Sequence, residues 1–139
     1  MEIITESFSF QSEGLTSIID ITNEVEKLLR KSGMREGSAL IFAPGATAGI
    51  TTIEYEPGLM QDYPAFFEQI IPSNKTYAHD DTWHDGNGYS HVRASLQGAS
   101  FTVPFSDSQL LLGTWQQIIF IDFDNRPRSR KVIVQFTGK

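Results

Sequence analysis

Two runs near the carboxyl end, Ile118-Ile119-Phe120-Ile121 and Val132-Ile133-Val134, are apolar at every position. A strand with one wet face alternates apolar and polar residues, so a run without alternation reads as a strand covered on both faces. Both runs are short and rich in β-branched residues, which favours strand over helix. The chain therefore has to pack other elements on both sides of its central strands.

The rest of the pattern supplies those elements. Residues 3–10 alternate, with Ile4, Phe8 and Phe10 on one face (Glu6 the exception) and Thr5, Ser7 and Ser9 on the other. Glu13-Gly14 reads as a turn into a short strand, 15–19. Residues 22–32 are the clearest helix, because Ile21, Val25, Leu28 and Leu29 form one stripe at i, i+4, i+7 and i+8. Asp20 or Thr22 can cap it, Glu24 and Arg30-Lys31 suit its dipole, and Gly33 stops it. Ala39–Ala43 reads as a buried strand broken by Pro44-Gly45. Residues 47–55 read as another strand, with Ile50, Thr52 and Glu54 on one face and Pro57-Gly58 as its end. A second helix follows, carrying Tyr63, Phe66, Phe67, Ile70 and Ile71, with Pro64 expected in its first turn and Pro72 past its end. Residues 73–89 read as a long polar loop, Ser90–Leu96 as a short helix capped by Ser90, and 99–103, 116–123 and 130–137 as strands. That order predicts an α+β fold, with helices packed on a mainly antiparallel sheet, in one domain spanning 1–139.

Composition narrows the function classes. A chain of 139 residues that is 40% hydrophobic and 12% aromatic can build a core. Seventeen acidic against eleven basic residues, net charge −6, disfavour a broad nucleic-acid or anionic-membrane surface. With no cysteine, disulfides and thiolate metal sites are excluded. No apolar run approaches the roughly 18 residues of a membrane helix, and Met1–Glu6 lacks the basic and apolar regions of a signal peptide. The expectation is a cytoplasmic protein without membrane or nucleic-acid partners.

Chemistry-bearing residues concentrate in His84-Asp85-Gly86-Asn87-Gly88-Tyr89-Ser90-His91-Val92-Arg93. Neutral imidazoles ligate zinc and similar metals, and carboxylates complete such shells. His84 and His91 are seven apart, so they would have to meet across the Gly86/Gly88 turn; otherwise one is a solvated and the other a structural histidine. Glu54 and Asp122 each sit among apolar strand residues, where an unpaired carboxylate is costly. Gly113-Thr114-Trp115-Gln116 is either a tight turn with a core Trp or an anion cradle of N–H groups and a hydroxyl. The basic connection Asp124–Lys131 reads as a solvated loop first and a phosphate site second. Pro44–Gly49 is rich in small residues but is not a Walker loop.

Several blocks together resemble the YjbQ-like family, described as uncharacterised or as secondary thiamine-phosphate synthases. They are Ala48-Gly49-Ile50-Thr51 with Glu54, Asp85-Gly86-Asn87 followed by Ser90–Gly98, and Val103-Pro104 followed by Leu112–Gln116. The resemblance implies an α+β sandwich, a homotrimer, a divalent metal (magnesium or zinc) and a small phosphorylated ligand. It implies catalytic roles for His91, Glu54 and Asn87, and metal ligation by His84, His91 and Asp85. It also implies substrate contacts from Arg93, Gly113, Thr114, Trp115 and Gln116. The alternative is a trimeric module that binds a metal or a phosphorylated metabolite without catalysis. The chain departs from the family pattern at Gly45 and Trp83, where many members carry histidine.

Overall fold

The computed structural model describes residues 1–139. Strands β1 (Glu2–Ser12), β8 (Arg128–Gly138), β3 (Gly37–Phe42), β5 (Ser100–Ser106) and β6 (Gln109–Leu110) form, in that order, a five-stranded sheet. Strands β2 (Ser17–Asp20), β7 (Gln117–Asp122) and β4 (Ala48–Ile53) form a three-stranded one. Every ladder is antiparallel. Both unalternating runs are central strands, as expected, but they are covered differently. β7 is buried from Ile118 to Asp122, whereas β8 alternates, with Val132, Val134 and Phe136 buried and Ile133 half-buried.

The period-two geometry of β7 explains the layering. Ile118 and Phe120 point into a core shared with Ile41, Val103, Phe105 and Val134 of the larger sheet and with Val25 and Leu29 of α1 (Thr22–Ser32). Ile121 and Phe123 point the other way, against Phe67 and Ile71 at the end of α2 (Pro57–Ile70) and against Tyr89 and Ala94 of α4 (Gly88–Gln97). The small sheet is thus the middle layer. Each fully buried Ile or Phe here contributes about 1.5–3 kcal/mol. Phe10 and Phe120 meet edge to face at 5.1 Å across the two sheets. Glu6, on the inward face of β1, pairs with Lys31 of α1 at 3.2 Å.

Five local readings change. Pro57 opens α2 rather than only ending a strand, because the Glu56 carboxylate accepts the N–H groups of Gly58 and Leu59. Pro64 consequently lies inside the helix, not in its first turn. The expected loop 73–89 contains α3 (Ala78–Trp83) and the first residues of α4. The Asp80 carboxylate accepts the N–H of Tyr77 at 3.0 Å and that of Gly88 at 3.0 Å, so one side chain ties the start of both helices. α4 begins before Ser90, with Asn87 at its cap position. Finally, β5 and β6 form a hairpin whose turn residues Asp107 and Ser108 both have positive φ, the geometry that matches strand twist. No helix is long and apolar enough to cross a membrane.

Candidate functional site

At the end of the small sheet, β7 leaves through Asp122–Asp124, β4 enters through Thr47 and β8 begins with Arg128 and Arg130. Buried carboxylates organise this corner. Asp122 and Asp124 have no exposed surface. Arg130 grips Asp122 with a two-pronged contact, Nε and Nη2 each donating at 2.7 Å, and Nη2 also donates to Thr47 Oγ1 at 2.7 Å. Thr47 donates to Asp124 Oδ2 at 3.2 Å, and Arg128 ion-pairs with the same oxygen. Asp124 Oδ1 accepts from the backbone of Asn125 at 2.8 Å and from Asn87 Nδ2 at 3.2 Å. Burial pushes the Asp124 carboxyl up, but the Asn125 N–H, the Asn87 amide, Arg128 and Thr47 outweigh it and hold the group below the usual carboxylate range.

The Asn87 contact has a consequence for the facing wall. With its amide nitrogen committed to Asp124, Asn87 turns out an Oδ1 that finds no donor, although the residue is only 3% exposed. Beside it, the rings of His79 and His91 lie 4.3 Å apart, tilted by 34°. His79 Nδ1 is buried without a hydrogen bond and stands 3.7 Å from Asp85 Oδ1. Burial and the neighbouring His79 push His91 below the ordinary imidazole value, against the pull of Asp124 and Asp85. His91 is therefore a neutral imidazole at pH 7, with a lone pair to offer. These two walls enclose an open cavity of about 550 Å3, rimmed by Gly45, Ala46 and Trp83.

Of the residues singled out by sequence, His91, Asp85, Asn87 and Asp122 meet at this corner. His84 does not; it takes the left-handed conformation that ends α3 and is exposed. Arg93 is 2% exposed and its guanidinium is committed elsewhere: to the Ile71 carbonyl, to Thr16 at 3.0 Å, to Glu68 at 2.7 Å and over the Tyr89 ring. Glu54, Thr114 and Trp115 share a separate cleft with Asp20 and Tyr55. That cleft sits at the far end of β4 from Thr47, roughly 20 Å away at strand rise. Gly113 and Gln116 stay with it, Gln116 accepting from the Gly113 N–H at 3.0 Å and donating to Thr52 at 3.1 Å.

Sequence reasoning missed His79, passed over Thr47 within the small-residue stretch Pro44–Gly49, and ranked the connection that carries Asp124, Arg128 and Arg130 as a solvated loop ahead of a phosphate site. A signal existed for the last three. Asp122 and Asp124, and Arg128 and Arg130, are each spaced by two, which puts each pair on one strand face.

The fold and this corner define a class: a small α+β protein with an imidazole–carboxylate–amide wall facing a pair of carboxylate-held arginines. A family model described as "UPF0047 protein YjbQ-like" matches residues 6–139. A UPF0047 protein of Archaeoglobus fulgidus is 42% identical over 118 residues, 85% of this chain and 89% of that protein. One from Methanothermobacter thermautotrophicus is 36% identical over 139 residues, 100% of this chain and 95% of the relative. Among solved structures, a hypothetical protein of Aeropyrum pernix superimposes with a TM-score of 0.91 at 31% identity, covering 100% of both chains. A YbjQ-like protein of unknown function from Sulfolobus solfataricus gives 0.88 at 27% identity, over 99% of this chain and 100% of that one. The chain belongs to the YjbQ-like UPF0047 family.

Proposed function

We propose that the corner cavity is a phosphate-handling active site, and that the reaction is thiamine-phosphate formation. A pyrimidine diphosphate would lose pyrophosphate, with its electron pair, as the exocyclic carbon bonds to the nitrogen of a thiazole phosphate. The observation that carries this reading is the division of one cavity into two walls. The Nη groups of Arg128 and Nη1 of Arg130 make no hydrogen bond within the protein and are free to meet phosphate oxygens. Opposite them, His79 Nδ1 and Asn87 Oδ1 are buried and unpartnered beside Asp85 and His91.

That second wall fits a divalent ion, and its mixed nitrogen and oxygen donors suit zinc or manganese better than magnesium. His79, Asp80 and Asp85, whose ligand atoms all lie within 4.8 Å of one another, would hold such an ion, which would screen the charge of the diphosphate. His91 would orient the leaving pyrophosphate through a ring N–H, and Asn87 Oδ1 would offer the ion a further oxygen. The implied roles of Arg93, His84 and the Glu54–Trp115 blocks are not part of this proposal. Synthesis of thiamine phosphate from its two halves, with manganese or magnesium present, tests it. Product is expected from the wild type and absent from His79→Ala and His91→Ala; equal turnover by those variants sinks it.

One observation favours a binding module instead. Arg128 and Arg130 are each neutralised by a buried Asp, which leaves little net positive charge for a departing pyrophosphate. In that reading, ligands raise the melting temperature and are recovered unchanged. We propose in either case a homotrimer, in keeping with Leu40 and Phe42 of β3, which point away from the core and stay exposed. Sedimentation should then give about three chain masses.

A further inference from the structure

The cavity does not stop at the imidazoles. Beyond His91 it continues into a second space of about 400 Å3, and Gly45, Ala46 and His91 wall both parts. The second space is otherwise faced by Ala48, Ala94 and Ala99, with Ser95 at its edge, and no Asp, Glu, Lys or Arg lines it. The two parts thus differ in chemistry while sharing a doorway.

Gly45 stands in that doorway. Its φ is not in the left-handed region, so the backbone does not require glycine there. A Cβ on it would lie 3.4 Å from Arg130 Nη1 and touch nothing else within 4 Å. What the glycine supplies is therefore space, beside a guanidinium nitrogen left free to bind. The unpartnered Asn87 Oδ1, in a residue 3% exposed, independently marks the first part as built to receive a hydrogen-bond donor or a cation, such as the ion that would accompany a phosphate.

We infer that both parts take one ligand: a phosphate group beside Arg128 and Arg130, and a planar uncharged ring in the alanine-lined part, with Gly45 setting the size of ring admitted. Alanine methyls present a low wall against which a flat ring loses water over most of its face, and the His91 ring edges the same space. The inference rests on the phosphate site proposed above and adds a second compartment, a ligand shape and a specificity residue to it.

Calorimetric titration with inorganic phosphate and with phenyl phosphate separates the two readings. Burial of the ring should make phenyl phosphate about tenfold or more the tighter ligand of the wild type. In Gly45→Val the ratio of the two affinities should fall below about threefold, because the doorway is filled. Ser95 is exposed on α4 and away from Arg130, so Ser95→Leu fills the same space from the opposite wall without crowding the guanidinium, and it should lower the ratio likewise. Equal affinities in the wild type, or a ratio untouched by both variants, would overturn the second compartment while leaving the phosphate site standing. If the wild type binds neither ligand, the phosphate site falls and this inference falls with it.

Discussion

Asp124 joins more of the site than any other side chain. It holds Asn87, Thr47 and Arg128 at once from a position with no exposed surface. Asp124→Ala leaves the buried Nε of a partly exposed Arg128 and the Asn87 amide without their acceptor, and should cost about 1–3 kcal/mol in chemical denaturation. The pH dependence follows from the lowered carboxyl value. A folded value below the unfolded one gives stability that is present above the ordinary carboxylate range and lost as pH falls through the folded value. Asp124→Asn should therefore flatten the acid limb of the stability profile. Arg93 gives the contrasting case. Arg93→Ala should lower stability by about 2–4 kcal/mol, since it leaves the buried Ile71 carbonyl and Thr16 hydroxyl without their donor and empties the space of a buried side chain, yet leave phosphate affinity unchanged in titration. A drop in affinity at preserved stability would return Arg93 to the site. Sequence could not separate these two arginine environments. Arg93 stands in the polar 84–93 stretch and is buried, while Arg128 lies in an apparent surface hairpin and turns inward.

Elements with a long apolar period were legible, and those held by single polar contacts were not. α1 could be read because Val25 and Leu29 repeat with Ile21 along one face, and because Gly33 ends it at φ 74. β7 could be read because nothing interrupts Ile118–Ile121. α3 has six residues and none of them is buried, so it leaves no apolar pattern. Its start depends on Asp80, whose carboxyl the Tyr77 and Gly88 N–H groups hold below the usual range. Pro64 misled for a related reason. The real start of α2 is set by the Glu56 carboxylate, a cap that does not belong to the usual Ser, Thr, Asp and Asn set. Hydrogen exchange on Asp80→Ala tests the α3–α4 tie. The Tyr77 and Gly88 amides should exchange faster while those of β7 hold their protection; unchanged exchange at both would show that the tie is idle.

At the scale of the whole molecule, the family blocks divide between two ends of the small sheet. The Asp85–His91 block lies at the Thr47 end with the arginines, and Glu54 with Thr114 and Trp115 lies at the other. Linear spacing does not carry that information, because β4 and β7 each run from one end to the other and place neighbouring motifs at opposite poles. The α+β class and the family were therefore legible, and half of the candidate site was. The missing half came from long-range pairings such as Thr47 with Asp124 and Arg130. The central claim is that ligand binding belongs to the Thr47 end. The three histidines report on it directly, two inside the cavity and His84 outside. Imidazole NMR spectra recorded during titration with magnesium pyrophosphate should show the His79 and His91 rings shifting while His84 stays fixed. Shifts confined to His84, or to the Trp115 indole with both cavity histidines unmoved, would contradict the account.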